Sequence, residues 1–494
     1  MRRVVRSRVL ATAAVVLALA ACAPAGASRP GSAESKDVGV QLFQWTWEAI
    51  EAQCPALAEA GYGWVLTSPP QEHIVGEEWW TAYQPVSYRI ESRLGTREQF
   101  ASMTQSCAEV GVGIVADAVV NHMTGQDDPG VGWAGSRYAH YDYPGLWTEA
   151  DGHFHHCGLT PDDDIANYQD AVEVRTCELV NLADLATELE PVRVRLREYL
   201  ADLVELGVSG VRIDAAKHMA PGDVEAIVAE VPEGFRVISE VIRGPQEPIR
   251  PEEYLGAGDV FEFAWGRDIR GIVQGGSLRL ALELGSQEGS PHYLPSDAAW
   301  IFVDNHDTER GRQTLSYADA HDYVLATALM LASDYGRPVV YSGYAFSDRD
   351  AGPPQDADGL VHAATCDEAV GPEREWVDGD WVCQHAWPQV AGLVGWRAVV
   401  GPADEGATTT VEGRVVAVGR GERGWFAANG NAEAVSMTFS TGLVAGTYCD
   451  VAVGPMTPEG ECAGQLVEVA DDGLATLSIP ARAAVALHVG ALSS

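Results

Sequence analysis

From residue 38 to about 345, short apolar runs that end in polar residues alternate with helix-length segments. The runs fall at 38–44, 63–67, 113–120, 210–214, 235–240, 259–263, 299–304 and 338–342. Continuous Val, Ile and Phe runs suit strands covered on both faces of a parallel sheet. Eight strand–helix units in this order predict a (β/α)8 barrel of the TIM type, with a doubly wound sheet as the structural rival. The spacing breaks once. The third and fourth runs lie about 90 residues apart, where one unit needs about 30. The surplus, 122–181, is rich in Gly, Asp, His, Tyr and Trp and has little periodicity, as expected of an irregular domain inserted after strand 3. The barrel itself is expected over 38–121 and 182–400. Beyond 400 the texture changes to short alternations of Val, Thr and Ala between Gly turns, at 413–419, 424–428, 435–440, 474–479 and 483–489. That pattern predicts a C-terminal antiparallel β-sandwich over 401–494.

Charge removes one class of partner. Lys and Arg number 32 and Asp and Glu 71, a formal net charge of −39 that repels phosphate backbones and argues against nucleic acid. Only Lys36 and Lys217 are lysines, which singles out Lys217. The N-terminus reads as a targeting segment over 1–22. Arg2, Arg3, Arg6 and Arg8 precede an apolar stretch, 9–21, too short to span a bilayer comfortably. It ends in Leu19-Ala20-Ala21-Cys22, which resembles a bacterial lipobox; an ordinary signal peptide cut nearby is the alternative. The expectation is an exported chain tethered through 23–37, touching a membrane only through a lipid on Cys22. Of the nine Cys, the eight besides Cys22 are an even set in an exported chain, which favours disulfides. No C-x-x-C pair occurs, so a zinc ribbon is not expected. Spacing leaves the pairing open.

Barrel active sites lie at the C-terminal ends of the strands, and acidic residues concentrate there. Asp117 ends the third run, Asp214 the fourth, Glu240 the fifth, and Asp304 and Asp307 the seventh. Asp214 and Glu240 are one barrel unit apart, and Glu240 and Asp307 two, so three carboxylates converge on one rim. Converging carboxylates serve metal binding or glycoside hydrolysis, where one attacks and the other protonates the leaving oxygen.

The segments around them decide between these uses. Asp117-Ala-Val-Val-Asn-His122, Gly210-Val-Arg-Ile-Asp-Ala-Ala-Lys-His218, Glu240-Val-Ile and Phe302-Val-Asp-Asn-His-Asp307 resemble, in order, the four motif regions of the α-amylase family of glycoside hydrolases. The likeness also takes in Val40-Gln-Leu-Phe-Gln-Trp45 and Trp79-Trp80-Thr-Ala-Tyr83-Gln84, and is greatest to the animal-type enzymes that actinobacteria also secrete. It implies a monomer that hydrolyses internal α-1,4 bonds of starch with retention. Asp214 would be the nucleophile, Glu240 the acid and then base, and Asp307 the stabiliser of the distorted sugar. Arg212 would keep Asp214 ionised and stand among the residues that contact the sugar. Trp79, Trp80, Tyr83, Gln84 and Tyr168 would line the donor side, His122 and His306 grip hydroxyls, and Lys217 with His218 reach toward the acceptor. The three intact carboxylates argue against a binding protein that has lost catalysis.

The resemblance further implies calcium held by the side chains of Asn121 and Asp184 and the carbonyls of Arg175 and His218, clamping the inserted domain to the barrel. Some relatives bind chloride beside the acid. Arg212 and Asn305 match two of its ligands, but Val339 stands where a basic third is usual, with Arg337 two residues away as a substitute. Weak chloride binding or none is expected. The implied disulfides are Cys54–Cys107, Cys157–Cys177 and Cys449–Cys462, which leaves Cys366 with Cys383.

Overall fold

The computed structural model describes residues 36–285, 292–366, 371–402, 407–457 and 460–493. The targeting segment, Cys22 and most of the tether lie outside the described residues. All eight predicted runs are strands: β1 (Gly39–Leu42), β2 (Trp64–Leu66), β3 (Gly113–Ala118), β4 (Gly210–Ile213), β5 (Arg236–Ser239), β6 (Asp259–Phe261), β7 (Ala299–Phe302) and β8 (Arg337–Ser342). They close a barrel in which every neighbouring pair is parallel, β8 returning to β1 through the register Gly39↔Val339 to Leu42↔Ser342. The doubly wound rival is therefore out.

Large side chains fill the barrel interior: Trp64, Val115, Ile238, Phe261, Trp300 and Phe302 form one buried cluster. The rings of Trp64 and Trp300 lie 4.3 Å apart. Gly39 makes room for this packing, because a Cβ there would fall 1.9 Å from the Trp64 indole. Above it, toward the strand C-termini, Phe43, Tyr83, Val119, Tyr341 and Tyr344 form a second aromatic layer. This layer is the floor on which the functional residues stand.

The segment after β3 holds two-residue hairpins, Gly130–Val131 with Arg137–Tyr138 and Asp142–Tyr143 with Trp147–Thr148, a 3-10 turn, Glu149–Asp151, and one short helix, Ala171–Thr176. It leans on a hairpin that hydropathy does not predict, Gln71–His73 with Pro85–Ile90. Glu72 in that hairpin is fully buried and accepts from the Ser136 backbone N–H at 2.9 Å.

The C-terminal part is antiparallel. A four-stranded sheet orders Ala407–Glu412, Val415–Arg420, Gly424–Asn429 and Ala483–His488. Val435–Ser440 pairs with Leu474–Ile479, and Gly446–Cys449 sits between Leu466–Val469 and Leu492–Ser493. The five predicted strands are there; Ala407–Glu412, Gly446–Cys449, Leu466–Val469 and Leu492–Ser493 are additional. This domain has its own core around Trp425, Phe439, Leu477 and Ile479. It docks on the barrel through Trp396, whose indole N–H donates to the Leu487 carbonyl at 3.0 Å. Disulfides join Cys54–Cys107, Cys157–Cys177, Cys366–Cys383 and Cys449–Cys462. Among the described residues no helix is long and apolar enough to cross a membrane.

Candidate active site

The strand ends deliver their acids to one guanidinium. Arg212, on β4 and 2 % exposed, lies 2.5 Å from Asp117, 2.8 Å from Asp214 and 2.8 Å from Glu240. Three carboxylates at one cation would be untenable if all were fully charged and dry, and two of them, Asp117 and Glu240, have a second donor. Asp117 also accepts from the Tyr83 hydroxyl at 2.9 Å. Glu240 accepts from the backbone N–H of Ala215 at 2.9 Å. That N–H is aimed by an unusual backbone: Ala215, straight after Asp214, is left-handed at φ 48. Such strain in a residue with a Cβ is held in place only by its surroundings and concentrates at working sites.

Burial raises Glu240 above the usual carboxylate range, and the charge on Asp214 adds to that against the pull of Arg212. Burial and then Glu240 raise Asp307 to about 7. Burial also raises Asp214, against the pull of Arg212, which favours the ionised form. Burial thus raises all three rim acids, and Arg212 opposes that rise in each.

Around these acids runs a cleft of about 450 Å³, walled by Trp79, Trp80, Tyr83, His122, Tyr168, Lys217, His218 and His306, with Asp214, Glu240 and Asp307 inside it. Trp79 and Tyr83 belong to one 3-10 turn, Trp79–Tyr83. Asn305 caps the next element, His306–Arg310, accepting from the N–H groups of Asp307 at 3.1 Å and Thr308 at 2.9 Å, and so sets His306 and Asp307. The His306 ring is sandwiched between Phe43, 4.7 Å away, and Tyr83, 5.1 Å away. Burial, with Arg212 and Arg310 nearby, holds it well below the usual histidine range, so it is neutral. His122 donates through Nε2 to the Tyr83 carbonyl, 3.0 Å away, and burial lowers it to about 4. Lys217 pairs with Glu247 and lies 5.4 Å from the Tyr168 ring.

Two residues expected to contact substrate stand elsewhere. Arg212 is beneath the acids, paired with all three, and is not in the cleft wall. Gln84 accepts through Oε1 from Thr124 at 2.9 Å and from the Gly125 backbone at 3.0 Å, pinning the inserted segment. Arg337 does not substitute for the missing basic residue at Val339. It lies at the opposite end of its strand and pairs with Asp259 at 2.8 Å, while Val339 and Asn305 border a small void beside Arg212. Glu247 escaped sequence reasoning because it sits in an irregular loop; the scarcity of lysine was the available hint that Lys217 needs a partner.

Asn121 and Asp184 meet at the junction with the inserted segment, 3.3 Å apart through the amide N–H. Asn121 Oδ1 is buried without a partner. Burial raises Asp184 to about 7, and its second oxygen takes the His155 ring N–H at 2.7 Å. A lone amide oxygen beside a dry carboxylate fits a hard cation. The helix carrying Arg175 packs here as well, its Val174 carbonyl 3.0 Å from the His218 ring. Among the described residues no three acidic, His or Cys side chains form a metal cage, as expected of a set built mainly from amide and backbone oxygens.

Comparison with known proteins agrees with this geometry. A model of the α-amylase catalytic domain matches residues 66–241, and one of the α-amylase C-terminal all-β domain matches 409–490. An α-amylase of Streptomyces violaceus is 42 % identical, over 99 % of this chain and 80 % of its own. Human α-amylase 2B is 36 % identical, over 91 % and 93 %. The crystal structure of a variant of α-amylase I from Eisenia fetida, in complex with maltohexaose, superposes with a TM-score of 0.82 at 33 % identity, covering 92 % of this chain and 97 % of that one. With the barrel, the three rim acids and relatives this similar over nearly the whole chain, the protein belongs to the α-amylase family and is a glycoside hydrolase of the α-amylase type.

Proposed function

We propose that the chain hydrolyses internal α-1,4-glucosidic bonds of starch with retention, through a covalent intermediate on Asp214. The observation that carries this is the sharing of Arg212 between Asp214 and Glu240, each 2.8 Å from it. Two carboxylates on adjacent nitrogens of one guanidinium are close set, as a nucleophile and an acid acting directly on one bond must be; an inverting pair leaves room for a water between. Asp214 attacks the anomeric carbon while Glu240, kept protonated by burial and by Asp214, gives its proton to the leaving oxygen. Once Asp214 is esterified, that charge is gone, and Glu240 is freed to take a proton from the attacking water. Asp307 and His306 bind the strained ring, and the half-buried indoles of Trp79 and Trp80 offer faces for the apolar sides of sugars. Lys217 borders the acceptor side.

Asn121 and Asp184, with the carbonyls of Arg175 and His218, would hold calcium, which would supply charge balance at the domain junction apart from the chemistry. The leader and the four disulfides support export, with Cys22 as the lipid anchor. The test is to follow iodine colour against reducing ends on soluble starch, with Asp214→Asn and Glu240→Gln as controls. Fast colour loss at few new ends, absent in both controls, is the expected result. Reducing ends that accumulate while colour persists would mean exo-action and overturn it.

A further inference from the structure

Arg310 ends the short helix that carries His306 and Asp307, and it is 8 % exposed. Its guanidinium carbon lies over four rings, 4.3 Å from the centroid of Phe346, 5.1 Å from Trp79, 5.2 Å from Phe43 and 5.4 Å from Tyr344. These rings come from three separate places. Phe43 follows β1, Tyr344 and Phe346 follow β8, and Trp79 opens the Trp79–Tyr83 turn. The edge of the guanidinium is fixed in their midst. Nη1 donates to the His306 carbonyl and to Glu309, each at 2.9 Å, and Nη2 to the Tyr344 hydroxyl at 3.0 Å. That hydroxyl donates in turn to the Ala351 carbonyl at 2.8 Å, two residues beyond the Arg349 carbonyl that takes the Trp79 indole N–H at 3.0 Å.

Stability does not account for a cation here. A buried Arg–Glu pair commonly gives no more stability than hydrocarbon of the same volume, and Nε of Arg310 is buried with no hydrogen-bond partner among the described residues. What a guanidinium supplies and hydrocarbon does not is direction. Its charge attracts ring faces, and its planar fork fixes a carbonyl and a hydroxyl at set angles. Both ends of this grip reach the cleft. Trp79 and His306 line it, and Phe43, under the same cation, stacks on the His306 ring at 4.7 Å. The charge of Arg310 also disfavours protonation of His306 and Asp307. Arg310 itself is not in the cleft wall. We infer that Arg310 is a positioning residue for donor-side recognition, setting the Trp79 platform and the His306 ring at the spacing one glucan segment needs without touching the sugar. The ligand class rests on the glucan-hydrolase reading above; the clamp on Trp79 does not.

Three variants of the full chain test this. Arg310→Met keeps the volume and removes the charge. Phe346→Leu removes the nearest ring and leaves the hydrogen bonds of Arg310 in place. Arg420→Met is the control for stability, since Arg420 is as deeply buried but ties the C-terminal sheet to Asp334 at 2.8 Å and to the Ala332 carbonyl at 2.7 Å. Calorimetry with maltohexaose, each variant combined with Glu240→Gln to stop turnover, should show binding weakened roughly tenfold in Arg310→Met, about threefold in Phe346→Leu, and unchanged in Arg420→Met. Without substrate, the Trp79 resonance of 5-fluorotryptophan-labelled protein, assigned by its loss in Trp79→Phe, should move in the first two and stay in the third. Melting curves show which variants fold; if Arg310→Met does not, Phe346→Leu decides alone. Wild-type binding in the first two variants, or an equal loss in Arg420→Met, overturns the inference. Wild-type binding with a depressed kcat places Arg310 with Asp307 and the chemistry, which also overturns it. A wild-type chain that neither binds nor cleaves glucan refutes the hydrolase reading and the donor role with it, while a Trp79 resonance that still moves leaves the clamp standing.

Discussion

Replacing Arg212 by Lys tests whether one guanidinium sets the ionisation of the rim acids. The planar fork spans Asp117, Asp214 and Glu240 at 2.5, 2.8 and 2.8 Å, whereas a single ammonium on a flexible stem cannot hold three partners in fixed directions. A hydrogen bond to a charged group contributes about 1.5–3 kcal/mol. At about 1.4 kcal/mol per pKa unit, losing the Arg212 contact raises Asp214 by about 1–2 units. The acid limb of kcat/KM reports ionisation of the nucleophile in the free enzyme. Arg212 favours the anion, so weakening it moves that limb to higher pH by the same amount. Displacing the nucleophile and acid by about 1 Å costs a further 10²-fold or so in kcat. A buried carboxylate left without its hydrogen bond also costs about 1–3 kcal/mol of stability, so the melting temperature falls while the chain still folds. The assay is kcat/KM against pH on a chromogenic maltooligosaccharide, with melting curves recorded alongside. An acid limb that stays where the wild type has it would refute the electrostatic argument.

Removing calcium should lower the melting temperature, because a cation bound to the native state alone stabilises it by mass action; an unchanged curve, with metal shown absent by elemental analysis, would contradict the assignment of Asn121 and Asp184. His385 gives a pH prediction away from the site. Burial lowers it to about 3, its ring nitrogen 2.9 Å from the Ser342 hydroxyl. Its native pKa is depressed below the unfolded value of about 6.5, so the unfolded chain binds the extra proton between these limits. The stability it contributes is complete above that window and is lost as pH falls through it. In His385→Gln, stability measured by urea between pH 6 and 4 should fall less steeply, by about 1.4 kcal/mol per pH unit; parallel slopes would show that the native ring is protonated.

The barrel was legible because a strand covered on both faces must be apolar throughout, and eight such runs stood out. The Gln71–His73 strand was not, since Gln71, Glu72 and His73 are all fully buried yet polar. Tertiary partners satisfy them, such as the Tyr199 hydroxyl on Gln71 at 3.1 Å, and no local pattern announces those. The polar stretch Ala407–Glu412 and the short strands Gly446–Cys449, Leu466–Val469 and Leu492–Ser493 escaped for a related reason: pairing rather than hydropathy makes them strands. In the site, ordered motifs located the acids and the aromatic wall. They did not reveal that Arg212 is consumed by three carboxylates, or that Gln84 is turned toward the inserted segment. Register and loop path decide such matters.

The most direct test of the account is the anomeric configuration of the first product, read by proton NMR within the first minutes of hydrolysing a defined maltooligosaccharide. A double displacement through Asp214 predicts that the new reducing end appears as the α-anomer and mutarotates to β afterwards. A β-anomer formed first would mean direct attack by water, and would contradict both the covalent role of Asp214 and the dual role of Glu240.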